Sequence, residues 1–168
     1  YFQIYLQPKI GLRSGRLEGA EALVRWEKEG KLIPPNDFIP ILEQKGLITK
    51  LDFYVLEQVC RKMQSWKNEG RELIEIAVNF SRRHLENPDF IQNLCNIADQ
   101  YGIPHYLLVV ELTETAMWEN EKNMVQMVEQ LHENGFLMAM DDFGTGYSSL
   151  SLLKNLPVDI VKIDRSFF

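Results

Sequence analysis

The sequence predicts an α/β fold in which a parallel sheet is built from repeated strand and helix units. Beyond Gly70, short apolar runs that fit buried strands alternate with stretches whose apolar residues recur at helical spacing. This alternation is typical of right-handed βαβ units. A polar residue also recurs at the end of successive strands, at Asn79, Glu111 and Asp141, at intervals of 32 and 30 residues. Since parallel strands end at one edge of a barrel or open sheet, we expect these residues to converge.

The individual elements follow from local patterns. In the first 70 residues, loosely alternating positions indicate strands, a proline pair introduces a helix, and an apolar stripe marks a longer helix. There we predict strands over 1–10 and 17–26 and helices over 34–46 and 51–70. Farther along the chain, we predict strands over 73–80, 106–113, 136–142 and 158–164 and helices over 90–101, 123–134 and 148–155.

Composition and charge limit the class of protein. The 168 residues are 45% hydrophobic and 25% charged, as expected for one globular domain over residues 1–168. Apolar runs are shorter than the roughly 18 residues of a membrane helix, and no signal pattern is present, so we expect a cytoplasmic domain. The net charge of −6 without a basic run argues against binding DNA or RNA polymers. An acidic site can nevertheless bind an anionic substrate through divalent cations.

The cysteines and histidines do not form a recognisable site. Cys60 and Cys95 lie on predicted helices and are not in a Cys-x-x-Cys pair, so we interpret both as reduced core residues. His84, His105 and His132 lie outside the strand ends and lack zinc-ligand spacing. We interpret each of them as a surface or helix-end histidine.

The polar residues that occupy strand ends form the candidate site. They are Glu21, Asn79, Glu111, Asp141, Asp142, Lys162 and Asp164. Carboxylates this close would repel one another and require cations. Oxygen ligands suit Mg²⁺ or Mn²⁺, and two such ions about 4 Å apart promote in-line attack on a phosphodiester.

The adjacent aspartates pose a geometric problem, because successive side chains of a regular strand point to opposite faces. We expect the strand to end after Asp141 and the following turn, with Gly144 and Gly146, to redirect Asp142 toward the site.

Two residues have alternative interpretations. Glu21 lies in an apolar segment and needs a metal or a partner, and the competing possibility is an ion pair with Arg25 at the rim of a core. Lys162 could neutralise a developing negative charge or orient a nucleophilic water, or it could form a salt bridge to Asp164 or another strand-end acid.

Five motifs, in this order, resemble the EAL family of cyclic di-GMP phosphodiesterases. They are Glu21-Ala22-Leu23, Val78-Asn79-Phe80-Ser81, Glu111-Leu112-Thr113-Glu114, the run from Asp141-Asp142-Phe143-Gly144 to Leu150, and Lys162-Ile163-Asp164-Arg165. The resemblance extends from Gln7 to the last residue. It implies a TIM-like (β/α)8 barrel with an antiparallel first strand, which hydrolyses cyclic di-GMP to linear pGpG with two Mg²⁺ or Mn²⁺ ions.

The resemblance also implies roles for individual residues. Four resemble ligands of one metal: Glu21, Asn79, Glu111 and Asp141. Asp141 would be shared with a second metal held by Asp142, and Lys162 would activate the attacking water. Positions that match substrate contacts are Gln7 and Arg25, with Asp164 as a substrate or supporting position. Glu114 resembles the residue that anchors the loop over 144–150.

The chain departs from the family at its end. A complete barrel of this kind needs about 250 residues, whereas this chain stops after the sixth predicted core strand. Family members continue with a helix and two strands that carry a further glutamate and a glutamine. We therefore expect an incomplete barrel that is inactive as an isolated fragment and has an open sheet edge.

Other expectations concern the parent protein. The alternative to the enzyme is a catalytically inactive EAL module that binds cyclic di-GMP or a protein partner as a sensor. A third possibility is a TIM barrel acting on another phosphate ester. The resemblance also implies a homodimer, an upstream GGDEF or sensory domain, and a parent protein that can be attached to the inner membrane.

Overall fold

The computed structural model describes residues 1–118, 121–145 and 154–167. Its strands are β1 (Phe2–Ile10), β2 (Leu17–Lys28), β3 (Lys31–Ile33), β4 (Glu75–Asn79), β5 (Leu108–Thr113), β6 (Leu137–Phe143) and β7 (Ile160–Ile163). Its α-helices are α1 (Pro35–Gln44), α2 (Ile48–Asn68), α3 (Phe90–Gln100), α4 (Glu114–Trp118) and α5 (Glu121–Glu133). Short 3-10 helices occupy Arg82–Glu86, His105–Leu107 and Arg165–Phe167.

The seven strands within the described ranges belong to one sheet. Its order is β1-β2-β4-β5-β6-β7, with β3 paired to β2 at the side. β1 runs antiparallel to β2, whereas each neighbouring pair from β2 through β7 along this path is parallel. This topology confirms the predicted α/β fold with an antiparallel first strand, built as an incomplete TIM-like barrel.

The two faces of the sheet carry different kinds of side chain. Alternate strand residues face the helices and form the main core, among them Ile76, Val78, Val110, Met138 and Met140. The intervening residues form a small second cluster of Ala77, Val109 and Ala139. Because side chains alternate along a strand, Asn79, Glu111 and Asp141 share the face of this small cluster. The strands therefore bury their large residues under the helices and present their polar ends on the opposite face.

The predicted elements differ from the structure mainly at their ends and in short pieces. The strand β3 and the helix α4 were not predicted. β3 pairs with the end of β2 across a two-residue turn in which Glu29 and Gly30 have φ values of 53° and 74°. Two consecutive positive φ values are typical of a tight hairpin. The predicted helix over 148–155 falls largely outside the described residues.

Both cysteines are buried, as predicted. Burial raises the pKa of the Cys60 thiol to about 12, so this thiol is neutral at physiological pH. None of the helices in the described ranges combines the length and the low polarity required to span a bilayer.

The interpretation of the histidines was right for two residues and wrong for one. His105 begins a 3-10 helix and His132 lies in the last turn of α5, and both bind aspartates. His84, in contrast, is only 1% exposed, and its Nε2 lies 3.0 Å from Oδ2 of Asp52. The local sequence gave no sign of burial because the partner aspartate lies on α2, 32 residues away.

Candidate active site

Polar residues from five strands converge on the face of the sheet opposite the main core. Asn79 is opposite Glu111 in the pairing of β4 and β5, and Asp141 is opposite Thr113 in the pairing of β5 and β6. Glu21 lies within β2 and Lys162 within β7. The structure thus brings together residues that are up to 141 positions apart in sequence.

Lys162 is the centre of this cluster. Its Nζ lies 2.9 Å from Oε2 of Glu21 and 3.1 Å from Oδ1 of Asp141. It also donates a short hydrogen bond to Oε1 of Glu111. One ammonium group therefore contacts carboxylates from three other strands. The salt-bridge interpretation of Lys162 holds for these strand-end acids, and Asp164 is not among its ion-pair partners in the described structure.

Glu21 is held from both sides. Its Oε2 accepts from Lys162, and its Oε1 accepts a 2.9 Å hydrogen bond from Nδ2 of Asn79. Nη1 of Arg25 instead donates to the carbonyl oxygen of Val24 at 2.9 Å. The alternative ion pair between Glu21 and Arg25 is therefore not formed among the described residues.

Glu111 is the most strongly perturbed acid of the cluster. It is 0% exposed, and its Oε2 has no hydrogen-bond partner in the described structure. The nearest additional cation to this oxygen is Nζ of Lys9, at 3.9 Å. Burial raises the pKa of Glu111 to about 7, although the hydrogen bond from Lys162 acts in the opposite direction.

Lys162 keeps its proton in this environment. Burial opposes its charge, but hydrogen bonds to Glu111 and Glu21 outweigh burial and raise its pKa above the ordinary value. At neutral pH the side chain is an ammonium ion, which can donate hydrogen bonds but cannot accept a proton.

The acid cluster has the composition of a metal site. One oxygen from each of Glu21, Glu111 and Asp141 lies within 4.8 Å of the others. The unpartnered, fully buried Oε2 of Glu111 is an acceptor whose burial is costly without a cation. Carboxylate oxygens in this number suit a hard divalent ion. The residues present therefore fit a hard divalent metal ion.

Asp142 is redirected differently from our expectation. The strand β6 does not end after Asp141 but continues to Phe143, and its pairing with β7 shifts register between Met140 and Phe143. Asp142 has a φ of 55°, in the left-handed region. A bulge inside the strand, rather than the glycine-rich turn after it, therefore changes the direction of this side chain. Burial and the charges of Asp141 and Asp164 raise the pKa of Asp142.

The predicted substrate-contacting residues lie around the cluster. Gln7 pairs with Glu21 across β1 and β2 and lines a cavity of about 400 Å³ that Lys162 also lines. Arg25 lines a second cavity of about 400 Å³ together with Glu21 and Asp141. Asp164 contacts the residues that directly follow it, where its Oδ1 accepts a 2.8 Å hydrogen bond from the Ser166 amide. Hydrogen bonds from Ser166 lower the pKa of Asp164.

Glu114 contacts the turn that follows β6. It is 2% exposed, and its Oε2 accepts a 3.0 Å hydrogen bond from the Gly144 amide. This contact fits the predicted anchoring role. Residues 146–150 of the predicted loop lie outside the described residues, so the role itself stays a prediction.

Sequence reasoning missed two charged residues near the site. Lys9 lies beside Glu111, and its separation of two from Gln7 on β1 places it on the same face. Asp52 is a 7% exposed acid of α2. Its separation from Val55, Leu56 and Val59 puts it on the apolar face of the helix, a signal that was present in the sequence.

Comparison with known proteins identifies the family. The model of the EAL domain matches residues 1–168, so the chain belongs to the EAL domain family. A curated relative, the probable cyclic di-GMP phosphodiesterase PdeG of Escherichia coli K12, is 41% identical over 164 residues. This match covers 97% of the chain but 32% of PdeG. The chain therefore spans about a third of the length of this relative.

Solved structures agree with this assignment. The structure of the PaMucR phosphodiesterase in complex with c-di-GMP has a TM-score of 0.91 at 36% identity, covering 99% of this chain and 68% of that one. The FimX EAL domain from Pseudomonas aeruginosa bound to c-di-GMP has a TM-score of 0.88 at 26% identity, covering 99% and 66%. Both confirm the resemblance found in the sequence.

The buried acid Glu111 predicts an unusual pH dependence of stability in chelator-treated protein. Its folded-state pKa is about 7 against an ordinary 4.5, so the folded state binds an extra proton between these values. Stability should therefore fall as pH rises through this window. Glu111→Gln should flatten this fall, measured by denaturant unfolding at several pH values in EDTA. Glu75→Gln, a change in β4 outside the acid cluster, is the control. An unchanged pH dependence in Glu111→Gln would contradict the assigned pKa.

Proposed function

We propose that this chain is the catalytic part of a phosphodiesterase that hydrolyses cyclic di-GMP to linear pGpG with two divalent metal ions. The observation that supports the proposal best is the convergence of Glu21, Glu111 and Asp141 around Lys162. The names of PdeG and PaMucR and the cyclic di-GMP bound to PaMucR supply the substrate.

We propose specific metal ligands. Glu21, Glu111 and Asp141 would hold one Mg²⁺ or Mn²⁺ together with the amide of Asn79, and Asp141 and Asp142 would hold the second. The bulge at Asp142 supports this division, because it separates the direction of that side chain from its neighbour. When bound, the metals supply an activated water and stabilise negative charge on the phosphodiester.

Lys162 would act as a hydrogen-bond donor. Hydrogen bonds to Glu111 and Glu21 raise its pKa in the metal-free structure, so there its Nζ is a charged donor. An ammonium beside three carboxylates can orient the attacking water and neutralise charge that develops on the phosphate. Of the alternatives left open by the sequence, both donor roles remain compatible with the contacts of Lys162.

Substrate contacts would come from the rim of the cluster. Arg25 lines the cavity next to Glu21 and Asp141, where its guanidinium could meet a phosphate or a guanine edge. Gln7 borders the cluster from β1, and Asp164 follows Lys162 at the end of β7. Because the cluster is rich in acids, an anionic substrate would bind well only after the metals are in place.

The rival function is an EAL module that binds cyclic di-GMP without hydrolysing it. The retention of Glu21 and of the Asp141-Asp142 pair favours the enzyme, since loss of any of these acids would remove a metal ligand. We also propose, on family grounds alone, a cytoplasmic domain that forms a homodimer, with a GGDEF or sensory domain elsewhere in a parent protein that can be attached to the inner membrane.

The first test is turnover of cyclic di-GMP. The chain covers about two thirds of the solved EAL chains, so the assay uses the protein with its whole EAL domain. With Mg²⁺ or Mn²⁺ it should convert cyclic di-GMP to pGpG, and chromatography measures both compounds over time. EDTA should abolish turnover. Unrelated phosphodiesters should be poor substrates. Binding of cyclic di-GMP without turnover in either metal would refute the enzyme and support the binding module.

The second test removes a proposed metal ligand. Glu21→Ala should abolish detectable turnover and weaken Mn²⁺ binding, because it deletes a carboxylate of the three-acid cluster. Glu27→Ala removes a carboxylate from the same strand β2, away from the cluster, and should retain activity. Circular dichroism checks that both variants fold. Wild-type turnover in Glu21→Ala would show that Glu21 is not a ligand.

A further inference from the structure

A buried aspartate of α2 contacts the segment that follows β4. Asp52 is only 7% exposed, whereas aspartate is rarely buried without a partner. Its Oδ2 accepts a 2.8 Å hydrogen bond from the Ser81 amide and also lies 3.0 Å from Nε2 of His84. One carboxylate oxygen therefore ties the helix to two points of the same segment.

The histidine of this pair is itself held in place. The ring of His84 lies 4.9 Å from that of Phe53, 5.4 Å from Phe80 and 4.5 Å from Phe90, measured between centroids. Rings packed on several sides leave little freedom for rotation. His84 thus braces Asp52 within the aromatic part of the core.

The segment fixed by Asp52 directly follows a residue of the site. Ser81 is two residues beyond Asn79, and the intervening Phe80 donates its amide to the carbonyl oxygen of Glu111 at 2.9 Å. The backbone after β4 is therefore held by β5 on one side and by Asp52 on the other. Asn79, the last residue of β4 and directly before this segment, donates a 2.9 Å hydrogen bond to Glu21. A shift of the segment would move the Asn79 amide relative to Glu21.

We propose that Asp52 is a positioning residue for the metal site, which acts through Ser81 and His84 to fix Asn79. The proposal rests on the proposed function only in that Asn79 binds a metal ion. Asp52 does not itself belong to the three-acid cluster. Its effect passes through backbone and side-chain hydrogen bonds, as is common for residues that orient metal ligands.

The test compares Mn²⁺ affinity among variants of the protein with its whole EAL domain, measured by titration calorimetry. Asp52→Ala should weaken binding about 10-fold, the lower end of the usual effect for residues that orient ligands. Asp52→Asn keeps one acceptor oxygen and should have an affinity between wild type and Asp52→Ala. If Asp52→Ala does not fold, Asp52→Asn carries the comparison.

Val59→Ala is the matched control. Val59 lies on the same helix, two turns away, and is 0% exposed, so its truncation lowers stability. Its apolar side chain forms no hydrogen bond, so the truncation removes no hydrogen bond to the segment after β4. Its Mn²⁺ affinity should equal that of wild type. Hydrogen exchange should be faster in peptides covering 79–86 in Asp52→Ala and unchanged there in Val59→Ala.

The outcomes separate this inference from the proposed function. If both Asp52 variants bind Mn²⁺ as tightly as Val59→Ala, Asp52 has only a structural role and the inference is wrong. If wild type binds Mn²⁺ but does not hydrolyse cyclic di-GMP, the proposed function fails while graded affinities of the Asp52 variants still support the inference. A wild type that does not bind Mn²⁺ overturns both.

Discussion

The site depends on the contact of one ammonium group with three carboxylates. Glu21, Glu111 and Asp141 bring oxygens within 4.8 Å of one another, an arrangement that repulsion would oppose without a cation. Lys162 supplies that cation from β7, and its contact with Glu21 joins two strands separated in the sheet by β4, β5 and β6. The negative charge of the three carboxylates, which attracts Lys162, would also attract divalent cations.

The sheet provides the space for this cluster. Helix-facing positions carry large residues such as Met138 and Met140, whereas the opposite face carries small ones below the acids, including Ala77 and Ala139. Small side chains leave room on this face, and the alternation of side chains along a strand permits both patterns in one segment. The large core residues and the acid cluster thus lie on opposite faces of the same strands.

Most of the site could be predicted from the sequence because it depends on periodic features. Strand ends recur at similar intervals, so Asn79, Glu111 and Asp141 converge once the strands are parallel. The bulge at Asp142 could not be predicted in the same way, since it depends on register with β7. The burial of His84 also depends on a distant partner, Asp52. The spacing of polar residues in the sequence predicts which of them meet at one edge of the sheet. The direction of a side chain and its contacts with residues distant in sequence depend on tertiary packing.

A crystal structure with Mn²⁺, using anomalous scattering at the manganese edge, would test the metal assignment on which the proposed chemistry depends. Two anomalous peaks about 4 Å apart are expected. One should contact Glu21, Asn79, Glu111 and Asp141, and the other should contact Asp141 and Asp142. The absence of any peak at these residues in protein that hydrolyses cyclic di-GMP with Mn²⁺ would contradict the assignment.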